Sequence, residues 1–251
     1  MTVEEFLAGN HVRRADIVLC RGKKGAFSRL IRWATGSYFS HAALVFLTPD
    51  RDHHFNNTFL IESVTSGVDL TDLRHYVVDH VSDYDVAILR YEAPWFTGDH
   101  ACLVRGVMLD FIKADYDFTT VWQIAWTVAK RLVFCVQAGV TGLQSTLERT
   151  YAQGRLAPGQ FICSGFIQYG FYDAIDRMVR RGVLPEACLS EVLFRPGLQV
   201  PPDHAMLMST TPEDLASSPL LNWRYLIVRG TVHPVTSRDE AYGLLRSVYG
   251  R

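Results

Sequence analysis

The sequence predicts an α+β fold, and two observations carry that expectation. Short apolar runs of strand length, at 15–20, 40–47, 58–64, 84–91 and 223–228, are each bounded by turn-forming residues. Separate segments repeat their apolar residues at spacings of three and four, as one buried helix face requires. The runs at 40–47 and 58–64, joined by a polar loop, read as an antiparallel hairpin.

Composition narrows the classes. A chain of 251 residues fits one large domain, or one domain with an elaborate insertion. Hydrophobic content of 48% with 20% charged residues suits a globular protein with a sizeable core. A net charge of −1 and no long basic run give no support for a nucleic-acid partner. The five cysteines (20, 102, 135, 163 and 188) are widely spaced with no CxxC pair, so neither a zinc site nor a disulfide framework is indicated. The start Met1-Thr-Val-Glu-Glu-Phe lacks the basic and apolar blocks of a signal peptide, and a reducing, cytoplasmic setting is expected.

In chain order, a helical turn is expected at Val3–Leu7 and a strand at Ala15–Cys20, broken by Arg21-Gly-Lys-Lys-Gly25. Two helical turns follow over Phe27–Ala34, with Phe27, Leu30, Ile31 and Ala34 on one face and Gly36 as terminator. The hairpin strands Ser40–Leu47 and Thr58–Val64 come next. If Leu47 pairs near Asn56, counting back puts His41 opposite Glu62. Cross-strand partners share a face, and a one-residue slip would separate them. Gly67–Leu73 is a turn with a short extended or helical piece, and Tyr84–Tyr91 is a strand closed by Pro94. Gly98-Asp99 caps a helix to about Ala114, with Ala101, Val104, Val107, Met108, Phe111 and Ile112 inward.

Residues 119–150 are dominated by large apolar side chains, with a narrow polar stripe that includes Thr120, Gln123, Thr127 and Lys130-Arg131. The central charges spoil a transmembrane span of ~20 apolar residues. A long helix buried on most of its circumference is expected, with a dimer contact, a peripheral membrane contact or a lid over a greasy substrate as alternatives. Downstream of Cys163 the helical pattern continues to Arg181, where Gly182 caps it. A short helix is expected at Glu186–Phe194, a capped start at Thr211-Pro212-Glu213-Asp214-Leu215, a final strand at Trp223–Val228 and an amphipathic turn or two at the end.

The chemistry centres on Phe161-Ile-Cys-Ser-Gly-Phe-Ile-Gln-Tyr-Gly170. An extended approach marked by Gly154, Pro158 and Gly159 gives way to a helical pattern of Phe166, Ile167, Gly170, Phe171 and Ala174. Cys163 is thereby placed in the first turn of a helix, where free N–H groups and the dipole favour the reactive thiolate. Ser164 and Gly165 are small enough to let another group approach. Most free cysteines are simply small buried apolar residues, and the local pattern alone leaves that reading open. His41 alone reads as readily as a satisfied core histidine and Glu62 alone as a strand-edge charge; placed together, they are the two residues of their apolar runs able to serve as a base and an orienting carboxylate. His53-His54 sit in a polar loop without completing a metal site, and His100 and His204 stand alone.

Asp16-Ile-Val, Ser40-His-Ala-Ala-Leu-Val, Ile61-Glu-Ser with Gly67-Val68, Tyr116-Asp-Phe and Ile162-Cys-Ser-Gly-Phe occur in an order that resembles the permuted papain-like amidases. This is the YaeF/YiiX-like branch of the NlpC superfamily, related to the lecithin:retinol acyltransferases. Thr211–Leu215 also looks like a family segment, and the likeness runs from about 15 to 228. Where the family usually begins with Gly-Asp, this chain has Ala15-Asp16; residues 119–150 lengthen the gap before Cys163. The resemblance implies a circularly permuted papain-like (NlpC-type) fold with histidine before cysteine. Its antiparallel sheet, a half-barrel, would pack against the Cys163 helix, in a single domain over 1–251 with a helical insertion at about 119–150. It implies a Cys163–His41–Glu62 triad cleaving amide or related acyl bonds without metal or organic cofactor. The substrate would be a small peptide, an amide or an acyl-lipid. An acyltransferase or thioesterase on lipid-like substrates, or a catalytically silent binding domain of the same fold, are the alternatives.

Overall fold

The computed structural model describes residues 1–50, 56–64, 67–112 and 163–250. Its elements are α1 (Val3–Ala8), β1 (Ile17–Gly22), α2 (Ala26–Thr35), β2 (His41–Leu47), β3 (Phe59–Val64), β4 (Gly67–Asp72), a π-helical turn (His75–Asp79), β5 (Tyr84–Tyr91), α3 (Gly98–Leu109), α4 (Cys163–Arg180), α5 (Ala187–Glu191), α6 (His204–Met208), α7 (Pro212–Ser217), β6 (Leu221–Val228), β7 (Thr231–Pro234) and α8 (Arg238–Tyr249). The strands form one open antiparallel sheet in the order β4-β3-β2-β1-β5-β6-β7. The mixed architecture and the antiparallel sheet agree with the sequence expectation. None of the helices among the described residues is long and apolar enough to cross a membrane.

Alternation along the central strands divides the core into two layers. Ile17, Leu19, Ala42, Leu44, Ile61, Ala87 and Leu89 face Val104, Val107, Phe166, Ile167 and Phe171 of α3 and α4. Their neighbours Val18, Cys20, Ala43, Val45, Leu60, Val86 and Ile88 face Phe6 of α1 and Tyr76 and Val77 of the π-helical turn. This period of two along strands buried on both sides fixes which layer each polar side chain enters.

Several boundaries depart from the sequence expectation. The 40–64 hairpin pairs Ala43, rather than His41, with Glu62, and a bulge lies between Val45 and Leu47. That is a shift of two residues along the strand, so His41 and Glu62 still share a face. α3 stops at Leu109 and Ile112 is exposed. The cap of α3 is Thr97, whose side chain and that of His100 form a reciprocal capping box, ahead of the Gly98-Asp99 pair. Trp223–Val228 lies within the sheet's penultimate strand; the short polar Thr231–Pro234 adds β7 beyond it. The tail forms three turns, with Ala241 and Leu245 buried, where one or two were expected. The expected helix at 119–150, the Tyr116–Phe118 motif and the extended approach before Cys163 lie outside the described residues, as do His53 and His54.

Ala15, at the head of β1, has φ +67°. A residue with a Cβ is strained in this left-handed region, which glycine enters freely.

Candidate active site

Cys163 is the first residue of α4 and is 4% exposed. Its neighbours explain how the helix start is held. A Cβ on Gly165 would lie 2.0 Å from the Met208 carbonyl oxygen, so only glycine lets the end of α6 approach. Ser164 Oγ donates to the Thr210 carbonyl at 2.7 Å. The small pair after the cysteine therefore admits the chain's own 208–210 stretch, which pins the first turn. Further along, Gln168 is buried and ties α4 to the segment after α5, with Nε2 donating to the Val192 carbonyl and Oε1 accepting from Phe194 N, both at 2.8 Å.

His41 opens β2, beside Cys20 of β1. Its Nε2 lies 2.6 Å from Glu62 Oε2. The same carboxylate oxygen accepts from Tyr76 Oη at 2.7 Å, and Oε1 accepts from Thr71 Oγ1. Tyr76 belongs to the π-helical turn and Thr71 to β4, so two further elements fix a carboxylate that is 2% exposed. With Nε2 engaged by Glu62, Nδ1 is the ring nitrogen left for the thiol. The β2–β3 ladder ends at Ala43–Glu62, and beyond it the Ala42 N–H hydrogen-bonds to the Cys163 sulfur.

The electrostatics follow from burial and pairing. Burial disfavours charge on each of the three groups, and their mutual interactions outweigh it. The Cys163 and Glu62 charges, with the hydrogen bonds from His41 to both, raise the imidazole to about 10. Burial alone would push the Cys163 thiol up; His41 and the N–H groups of Ala42 and Ser164 bring it below its ordinary value. Glu62 is held below the usual carboxylate range, against burial, by His41, Thr71 and Tyr76. Cys20 contrasts with its neighbour Cys163. Burial and the charges of Glu62 and Cys163 push its thiol well up, so it stays protonated.

The three residues expected from sequence are thus brought together, with the thiol and carboxyl lowered and the imidazole raised by one another. Thr71 and Tyr76 were not anticipated; a tyrosine in an i→i+5 turn carries no periodic signal. His100 and His204, which the sequence left alone, make their contacts elsewhere. His100 Nδ1 accepts from Thr97 N at 3.0 Å, and the His204 ring packs edge-on to Tyr169. Among the described residues no three His, Cys, Asp or Glu side chains form a group able to hold a metal ion. Neither a protein-family model nor a curated protein matches the chain.

Proposed function

We propose that the protein is a cysteine hydrolase of amide or related acyl bonds, built on a permuted papain-like domain. The observation that carries this reading is the buried Cys163–His41–Glu62 chain, with the thiol at a helix start and the imidazole poised between two anions. A thiolate is the nucleophilic form of cysteine, and a helix N-terminus with an adjacent imidazolium favours it.

The Cys163 sulfur attacks the acyl carbon, forming a C–S bond as the carbonyl π electrons move to oxygen. When that intermediate collapses, the C–N bond breaks and His41 gives its proton to the departing amine. Water then attacks the thioester, His41 takes the water's proton, and collapse expels the Cys163 thiolate and releases the acid. Throughout, Glu62 accepts from Nε2–H and keeps Nδ1 aimed at the sulfur. Thr71 and Tyr76 hold the carboxylate in place. Substrates of this chemistry are small peptides, amides or acyl-lipids.

The direct test is a panel of amide, ester and thioester substrates assayed with wild type and Cys163→Ser. Turnover in wild type, abolished in the variant, is expected. Turnover that survives in Cys163→Ser would count against the assignment.

A further inference from the structure

The opposite end of the sheet holds a second feature. Where β1 begins and β2 and β5 end, a cavity of about 1100 Å³ opens beside the first turn of α3. None of the triad residues lines it. Six or seven strand residues separate it from His41, roughly 20 Å at 3.3 Å per residue.

The charges on its wall do not cancel. Asp16 is clamped by Arg90, through Nε at 2.7 Å and Nη2 at 2.8 Å. Glu92 is occupied by Asn222 and Arg224, with Arg13 at 3.9 Å. Arg14 and Arg105 have no carboxylate partner among the described residues. Arg105 is 8% exposed; Nη1 donates to the Phe46 carbonyl, while Nε is buried with no hydrogen-bond partner. A buried guanidinium ordinarily has a counter-ion, because taking its charge out of water costs several kcal/mol. Burial pushes its guanidinium down, the neighbouring Cys102 works against that, and Arg14 lowers it further, so a second cation lies close by. The N-terminal turn of α3, with Thr97 and Gly98 on the wall, adds a positive dipole end to the same space. Asp99, the one acid of that turn, also lines the cavity and is exposed, which leaves four arginines against three carboxylates on the wall.

We propose that this cavity is a binding site for a small organic phosphate, whose phosphate group sits between Arg14, Arg105 and the start of α3. Two guanidiniums and a helix N-terminus suit a dianion, and guanidinium forks match phosphate oxygens. The volume far exceeds that of a phosphate ion and lies at the upper limit of pockets that enclose small organic ligands, leaving room for an organic group. The site stands apart from the thiol chemistry and does not depend on it.

Cys102 is exposed on the cavity wall and serves as a reporter. The probes are phenyl phosphate, inorganic phosphate and benzoate at constant ionic strength, read by alkylation of Cys102 and by titration calorimetry. Phenyl phosphate is expected to slow Cys102 alkylation and leave Cys163 alkylation unchanged. Its affinity should fall by about tenfold or more in Arg105→Gln and in Arg14→Ala, the loss of one charge-assisted contact. Inorganic phosphate should bind at the same place more weakly. Unchanged affinity in Arg14→Ala overturns the proposal even if Arg105→Gln fails to fold, since Arg14 is exposed. So does an absence of Cys102 protection, or benzoate binding as tightly as phenyl phosphate.

Discussion

Asp16 and Glu62 are both buried carboxylates on the central strands, and their partners give them different work. Asp16 is 1% exposed and forked by Arg90, which joins the head of β1 to β5. A guanidinium does not release its proton at any relevant pH, so this pair is a fixed structural bolt. Glu62 is as deeply buried, but it faces a histidine and is steadied by two neutral hydroxyls. Its partner can give up and regain a proton without leaving the carboxylate stranded. Burial alone does not mark a functional carboxylate; the proton mobility of the group it touches does.

The sharpest way to break that comparison is to neutralise each acid in turn. Glu62→Gln should cut turnover of an amide or ester substrate by up to ~10⁴-fold, as loss of an orienting carboxylate does in other triads, with the smaller stability loss of the two changes because His41 can shed its proton. Asp16→Asn should do the reverse. It strands a buried guanidinium, and unfolding by urea should report a loss of about 3–5 kcal/mol, with the residual folded enzyme retaining its rate. Equal effects of the two changes on one observable would erase the distinction.

Tyr76→Phe comes next in size. Removing one donor to a charged acceptor costs about 1.5–3 kcal/mol, so turnover should fall on the order of 10–100-fold. Because Tyr76 lowers the Glu62 carboxyl, the acid limb of the rate profile should also move to higher pH, which loss of packing alone would not produce. On the structural side the smallest effect is expected at Ala15, whose φ of +67° suits glycine. Ala15→Gly should stabilise the fold by about 1 kcal/mol, a rise of about 2–4 °C in Tm, with activity unchanged.

The sequence patterns led to the triad because each member interrupts a strong signal: a thiol at the onset of helical spacing, and a histidine and a glutamate within apolar strands. The hairpin register was legible only as parity. A loop and a bulge between Val45 and Leu47 shift the pairing by two, which preserves the face and so brings His41 to Glu62 all the same. Thr71 and Tyr76 were not legible, since an edge strand and a π-helical turn have no distinguishing period. Thr231–Pro234 escaped notice because four residues with one buried apolar side chain look like loop until β6 offers them an edge.

The stability linkage of the triad sets its pH window. Glu62, depressed in the fold, contributes stability above its unfolded value that is lost as pH falls through the folded one. His41, raised to about 10, contributes stability present below its unfolded value and lost as pH rises through about 10. Cys163, lowered, contributes above the unfolded thiol value and loses that contribution as pH falls.

The most direct measurement is the rate of Cys163 alkylation by iodoacetamide against pH, in wild type and in His41→Ala. Wild type should react rapidly below pH 7, ahead of the exposed Cys102 and the buried Cys20. In His41→Ala, burial is opposed only by the N–H groups of Ala42 and Ser164, and the rate at pH 7 should drop on the order of 100-fold, recovering at alkaline pH. Alkylation of Cys163 no faster than that of Cys20 or Cys102, or a rate indifferent to His41, would contradict the account.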